Sequence, residues 1–462
     1  FMGGLMLVKD IVKSSNGRLV NGKENIEIKK FIIDNREETE NAFYIPLVGE
    51  KVDAHKFILD SVKNGIIGFF INNSCCEKDN IIKNSKEINK EVIIIEVEDT
   101  LKALYNTSVC NRKQHLDIPV VAITGSVGKT STRQMIYSVV KQEKNALVTE
   151  KNYNGYLGLS LMGLKIDNQD ICVLEAGIDR FGEMDELSQI LLPDIAVVTM
   201  IGTSHIEKLK SRENIFKEKM CITKTLRGIN TLVINDKDDY LSKVKDDQSY
   251  NVIRYDIDQA HDIEFLPYFI SFYTKIYGSE EKVLINAIGE HNVLNALAAI
   301  KVGELLNISK ENIIRGIAEY KNFNRRLEIK KIKNNITVID DAYNASMDSM
   351  VSGLKTVDLI NGRKVAVLGD MLELGNMSDA LHENVGKEFK KLHYDTLFTV
   401  GEFSLNINKE AKGYVNANVH FSNIEEAEKY LIENMKENDI LYFKASNGMK
   451  FSNLVDNIVK NN

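Results

Sequence analysis

The segment VVAITGSVGKTST carries the plainest chemical signal in the chain. A β-branched run ends in Gly125, Ser126 and Val127 lead to Gly128, and Lys129, Thr130 and Ser131 open a helix. Glycine at these two places permits backbone angles that turn several N–H groups toward one anion. The helix N-terminus adds the positive end of its dipole. In such a cradle Lys129 can reach the β- and γ-phosphates of ATP, and the Thr130 hydroxyl can ligate Mg²⁺. The spacing departs from G-x-x-x-x-G-K-[ST], because Ile123 stands where the first glycine would be. A tight turn that only happens to carry a lysine is the alternative; the agreement of residue types with a strand-to-helix context disfavours it.

Two more groups fall where ligands of parallel sheets gather. Glu175 ends the run ICVLE, and His205 follows VVTMIGTS. A carboxylate and an imidazole at neighbouring strand ends suit a metal and a nucleotide phosphate, although Mg²⁺ prefers oxygen. Alone, either could be an exposed Glu or a hydrogen-bonded His. Lys219 lies in SRENIFKEKMCITK among other Lys and Glu residues and by itself reads as a solvated helix face.

Positioning these groups requires a sheet. IPVVAITG, DICVLEAG, DIAVVTMIG and NTLVIND are apolar strand candidates separated by helical stretches. This is the βαβ rhythm of a doubly wound α/β domain. Before it, EIKKFIID, NAFYIPL, GIIGFFIN and EVIIIEV suggest a small α/β domain. After Tyr320, NITVID, RKVAVLGD, TLFTVG and DILYFKAS suggest a second Rossmann-like sheet. The charged, turn-rich stretch from Asp236 to His261 reads as peripheral. HNVLNALAAIKVGELL has helical apolar spacing.

A length of 462 residues fits about three domains. The net charge of -7 argues against a general nucleic-acid or membrane-surface binder. No apolar run approaches the roughly 20 residues of a membrane span. The opening FMGGLMLV meets Lys9 and Asp10 at once, too short for a secretory leader. Five cysteines without C-x-x-C spacing read as free thiols in the cytoplasm.

In this order, the cradle, Glu175, His205 and the Lys219 helix resemble the Mur ligases, which build the peptide of bacterial cell-wall precursors and use a shortened G-x-x-G-K-T loop. KNYNGYLGLSL resembles the family's Asn-rich loop, GEHNVLNALAA the helix whose Asn contacts adenine, and RRLE the hinge to the third domain. DDAYNASMDSM and VAVLGDMLELG resemble signatures of the last ligase of the series, and GEKVDAHKF fits its uridine-nucleotide domain. The resemblance implies three domains: residues 1–116 for the UDP-substrate, 117–321 for ATP, and 322–462, Rossmann-like, for the incoming dipeptide. It implies ligation of D-alanyl-D-alanine to UDP-N-acetylmuramoyl-tripeptide through an acyl phosphate, by a cytoplasmic monomer.

The same resemblance implies site roles. Lys129 binds phosphate, Thr130 and Glu175 hold one Mg²⁺, and His205 a second. Lys219 matches a lysine that the family carbamylates, which overturns its solvated-face reading. Asn295 contacts adenine, and Arg326 and Asp341 contact ATP. Asp34, Asn35, Arg36, Asn152, Asn154 and Asn344 contact substrate. The chain departs from the family pattern at Asn35, Gly155, Ser346, Met347, Ala445 and Asn447. The competing readings are another Mur-type ligase, a folylpolyglutamate synthase and a non-catalytic nucleotide-binding relative. The Asp-Asn-Pro-Arg element of the preceding ligase is not found. A synthase would not explain GDMLELG, and intact Lys129, Glu175, His205 and Lys219 argue against decay.

Overall fold

The computed structural model describes residues 6–246, 249–266, 269–322 and 325–461; the start of the apolar opening run lies outside them. Its centre is a six-stranded, wholly parallel sheet. In spatial order the strands are Asn251–Tyr255, Thr231–Asn235, Ile195–Val198, Val120–Thr124, Ile171–Glu175 and Ala146–Val148. The four inner strands are buried throughout, which is why each reads as an unbroken apolar run. Val120–Thr124 lies between strands that follow it by different crossovers, so its carboxyl end opens at the switch point where α/β sheets bind ligands.

The stretch from Asp236 to His261 is not peripheral: it contributes Asn251–Tyr255, the edge strand of this sheet. An edge strand needs only one apolar face. Here Tyr255 is buried while Asn251 is exposed, and the mixed composition hides the strand. An antiparallel sheet of His261–Phe265, Ile270–Ile276 and Ser279–Ile285 follows. It leads into the helix His291–Leu305, which packs on the cradle helix Lys129–Val140.

The N-terminal sheet orders Arg18–Asn21, Ile93–Val97, Gly68–Asn72, Phe43–Tyr44 and Phe31–Ile32; the first pairs antiparallel and the rest parallel. The helix Thr100–Gln114 joins this sheet to the central domain. At its start Thr100 Oγ1 donates to Pro46 O at 2.6 Å. At its end Asn111 Nδ2 donates to Gly163 O and Ile166 O, each at 2.8 Å. The fully buried Arg112 donates from Nε to Leu191 O at 2.9 Å and also reaches Leu192 O and His115 O.

The C-terminal sheet orders Glu328–Lys331, Thr337–Asp340, Ile440–Lys444, Lys364–Gly369, Thr396–Val400 and Ala417–Phe421. Only the first pairing is antiparallel. Two departures from the family pattern are structurally sound here. Ser346 is the N-cap of Met347–Asp358, in a reciprocal capping box with Ser349. Ala445 is buried against Gly369, where any side chain would meet the Ala445 Cβ. The chain enters this domain through Arg325 (φ 55°) and Leu327 (φ 52°), left-handed positions that cost non-glycine residues of order 1–3 kcal/mol each.

Replacing Arg112 strands three carbonyls inside the helix junction. At roughly 1–3 kcal/mol for each buried group left unpaired, with part of the loss recovered by water, Arg112→Ala is expected to lower unfolding free energy by about 3 kcal/mol, read from the denaturant midpoint.

Candidate active site

The cradle is built as its glycines require. Gly125 (φ 147°) and Gly128 (φ 88°) hold backbone angles that L side chains rarely adopt, and a Cβ on Gly125 would overlap Thr199 Oγ1. Thr199 in turn donates to Val127 O at 2.6 Å, and Ser126 N donates to Met200 O at 2.8 Å, so the neighbouring strand end moulds the loop. Lys129 Nζ donates to Gly125 O at 2.7 Å and Ser126 O at 3.3 Å. Burial lowers its pKa, opposed by the charge of Glu175. Ser126 Oγ and Arg326 Nε are buried without hydrogen-bond partners beside this loop, donors of the kind an oxyanion takes up.

Glu175 organises the next layer. Its Oε2 accepts from Thr130 Oγ1 at 2.9 Å, and its Oε1 from Asn154 Nδ2 at 2.9 Å. The buried Arg133 guanidinium lies 3.6 Å from Oε2. From the C-terminal side, Arg326 Nη2 donates to Thr130 Oγ1 at 3.0 Å. Hydroxyl and carboxylate oxygens at the cradle mouth form a donor set that fits a hard divalent cation. Among the described residues no three His, Cys, Asp or Glu side chains converge on one point. Such a cation would complete its shell with phosphate, water or other oxygen donors.

His205 stands at φ 59° as N-cap of the short helix Ile206–Leu209. Its Nδ1 is 2.9 Å from Glu373 Oε2 of the C-terminal domain, without hydrogen-bond alignment. Burial, then Lys129, pushes the imidazole pKa below its usual value. Lys219 corrects the solvated-face reading: it is only 2 % exposed, on the helix Arg212–Met220. Burial, and after it the charge of Lys129, lowers its pKa well below that of a free lysine. The protonated form is thereby disfavoured.

A cavity of about 420 Å³ gathers most of the expected residues. The central domain lends it Ser126 to Thr130, Asn152, Asn154, Glu175 and His205; the C-terminal domain lends Arg326, Asp341 and Asn344. An adjoining, more apolar cavity of about 290 Å³ takes Ser131 and Asn295, with His291 and Leu294. Asn295 Oδ1 accepts from Thr132 Oγ1 at 2.8 Å, and its Nδ2 donates to Asn292. Asp34, Asn35 and Arg36 line neither cavity. Asp34 and Arg36 pair with each other at 2.6 Å, which holds the Asp34 carboxyl down at about 2.

Sequence reasoning missed the partners of Asp341. Its carboxylate accepts from Lys444 Nζ at 2.7 Å, Tyr442 Oη at 3.0 Å and Leu327 N at 3.2 Å. Lys444 and Tyr442 alternate with apolar residues on a central strand. A buried lysine there is the one local signal that could have marked the site.

The phosphate cradle, the parallel sheet behind it and the third domain closing over it define an ATP-dependent ligase of the Mur ligase family, to which this chain belongs. The Mur ligase middle domain matches residues 123–303, and the Mur ligase, glutamate ligase domain matches 325–447. Among curated relatives, the UDP-N-acetylmuramoyl-tripeptide–D-alanyl-D-alanine ligase of Bacillus subtilis (strain 168) is 32% identical over 461 residues, 98% of each chain. The ligase of the same name from Buchnera aphidicola subsp. Acyrthosiphon pisum is 28% identical over 465 residues, again 98% of each. A crystal structure of MurF from Acinetobacter baumannii matches 99% of both chains at 26% identity, with a TM-score of 0.88.

Gly125→Ala is expected to abolish nucleotide binding, measured by calorimetry with ADP, because the new Cβ meets Thr199. Removing that hydroxyl as well, in Gly125→Ala/Thr199→Ala, should recover part of the affinity. Equal loss in both chains would show that the contact is not the cause.

Proposed function

We propose that the chain joins D-alanyl-D-alanine to UDP-N-acetylmuramoyl-tripeptide at the expense of ATP, in the cytoplasm and as a monomer. The observation that carries this reading is the cleft in which Lys129, Thr130, Glu175 and Asn154 of one domain face Arg326 and Asn344 of the next. Similarity over 98% of the Bacillus subtilis ligase supports the choice of substrates. Residues 1–116 hold the uridine nucleotide through the Asp34–Arg36 segment, 117–321 bind ATP, and 322–462 receive the dipeptide.

A carboxylate is a poor electrophile and needs a leaving group. The γ-phosphoryl of ATP passes to the tripeptide carboxylate, forming a C–O–P linkage and ADP. The dipeptide amine attacks the acyl carbon, its proton leaves to solvent, and the tetrahedral intermediate expels phosphate to give the amide. The protein's share is positioning and charge neutralisation. The 125–131 loop and Lys129 hold the β- and γ-phosphates, and Arg326 adds positive charge from across the hinge. Asn295 fixes adenine, and Asp341 acts by anchoring the hinge to Lys444. Asn152, Asn154 and Asn344 orient the substrate. Thr130 and Glu175, with His205 and Lys219 for a second ion, would hold Mg²⁺, which offsets phosphate charge when bound.

The depressed pKa of Lys219 supports carbamylation. An unprotonated Nζ can attack CO₂, forming an N–C bond and releasing a proton, and the buried amine becomes an anion. Lys219→Ala is expected to lower kcat by roughly 100-fold or more, and millimolar acetate or propionate to restore part of it. Full activity in the variant would remove the role.

The function is tested by ADP formation with UDP-tripeptide, ATP and Mg²⁺ against a panel of amines. D-alanyl-D-alanine should exceed D-alanine, L-lysine and diaminopimelate by roughly 100-fold or more in kcat/KM, since a site built for polar groups rejects ligands that leave them unpaired. A single amino acid outcompeting the dipeptide would move the enzyme to another step of the same series.

A further inference from the structure

The hinge strain has a specific restraint. Arg325 and Leu327, both at positive φ, flank Arg326. Each is tied to the segment Asp340–Tyr343. Arg325 Nη1 donates to Asp340 Oδ2 at 2.9 Å, Leu327 N to Asp341 Oδ1 at 3.2 Å, and Tyr343 N to Arg325 O at 3.3 Å. Between these ties the Arg326 guanidinium lies over the Tyr343 ring, 4.3 Å from its centroid. Nη2 reaches Thr130 Oγ1 at 3.0 Å, and the buried Nε has no hydrogen-bond partner.

An arginine side chain has many rotamers, and one hydrogen bond to a hydroxyl leaves the guanidinium free to swivel about it. A ring face against the guanidinium restricts that freedom, because the cation is attracted to the π-cloud. Tyr343 lines the active-site cavity together with Arg326, so the stack borders the place where the transferred phosphoryl group must lie.

We propose that Tyr343 is a positioning residue, whose ring holds the Arg326 guanidinium flat across the mouth of the phosphate cradle and aims it at the γ-phosphate. The proposal rests on the reading that Arg326 contacts ATP. The ring, not the hydroxyl, does this, so phenylalanine should substitute where an aliphatic residue of similar bulk does not.

The test uses the full chain and two readouts: steady-state kinetics, and the Kd of a non-hydrolysable ATP analogue. Tyr343→Leu is expected to weaken analogue binding and lower kcat/KM for ATP by about 10-fold, the range of a partly desolvated cation–π contact. The KM for the dipeptide should not change. Tyr343→Phe should rescue most of the loss. In an Arg326→Ala background, Tyr343→Leu should add nothing further to the Kd, since the two residues act as one unit. Circular dichroism on each variant checks folding. If Arg326→Ala itself binds the analogue with native Kd, the reading of Arg326 fails. If Arg326→Ala is impaired but Tyr343→Leu is not, or Tyr343→Phe is as impaired as Tyr343→Leu, or the two losses simply add, the positioning role is overturned.

Discussion

Glu175 is a carboxylate only 2 % exposed at the end of a central strand, and an anion so placed must be surrounded by donors. Those donors come from two separate pieces of chain. Thr130 lies on the cradle helix, Asn154 on the loop that leads into the next helix, and Arg133 one turn beyond Thr130. The backbone N–H of Glu175 is itself fixed by Thr149 Oγ1 at 2.8 Å. The cradle helix, the Asn-rich loop and the strand therefore share one register. Through the Thr130 hydroxyl, the same cluster is where the third domain makes contact by way of Arg326. The electrostatic demand of one buried charge thus sets the geometry in which phosphate, metal and substrate carboxylate must meet.

Much of this was legible from the sequence because the chemistry and the fold coincide there. The inner strands are buried on both faces, so VVAIT, ICVLE, IAVV and TLVIN announce themselves, and the functional groups follow at their ends. The edge strands do not. Asn251–Tyr255 and Ala417–Phe421 are half exposed and mix polar with apolar residues, which is how a coil also reads. Lys219 was illegible for another reason. Its helix carries charges on all sides, and burial of one lysine is decided by what packs around it from elsewhere, a tertiary fact with no local period. The partners of Asp341 fail on distance alone: Tyr442 and Lys444 are about a hundred positions away and adjoin it only because their strands pair in parallel. The resemblance to a known family implied roles for Lys219 and Asp341 but none for Tyr442 or Lys444, whose contacts only the structure supplies.

An apolar core runs from the nucleotide domain into the third domain, and beside it the two meet through polar and charged groups: Arg326 on Thr130, Asp348 on Thr203, Glu373 beside His205. Such contacts are sensitive to charge and to what else occupies the cleft, whereas the hinge itself is pinned by Asp340, Asp341 and Tyr343. The same segment that lines the cleft also fixes the entry angle of the whole domain.

The helix Thr100–Gln114 gives the molecule a mechanical asymmetry. Its amino end belongs to the N-terminal sheet and its carboxyl end is bolted by Asn111 and Arg112 into the backbone of the central domain. Through those carbonyls the two domains share part of one hydrogen-bonded framework. A chain cut near residue 116 would not yield two self-contained pieces, because the cut falls beside the residues that stitch them. The N-terminal domain is thus held to the central one by a shared helix and its backbone-directed bonds, not by surface contact alone.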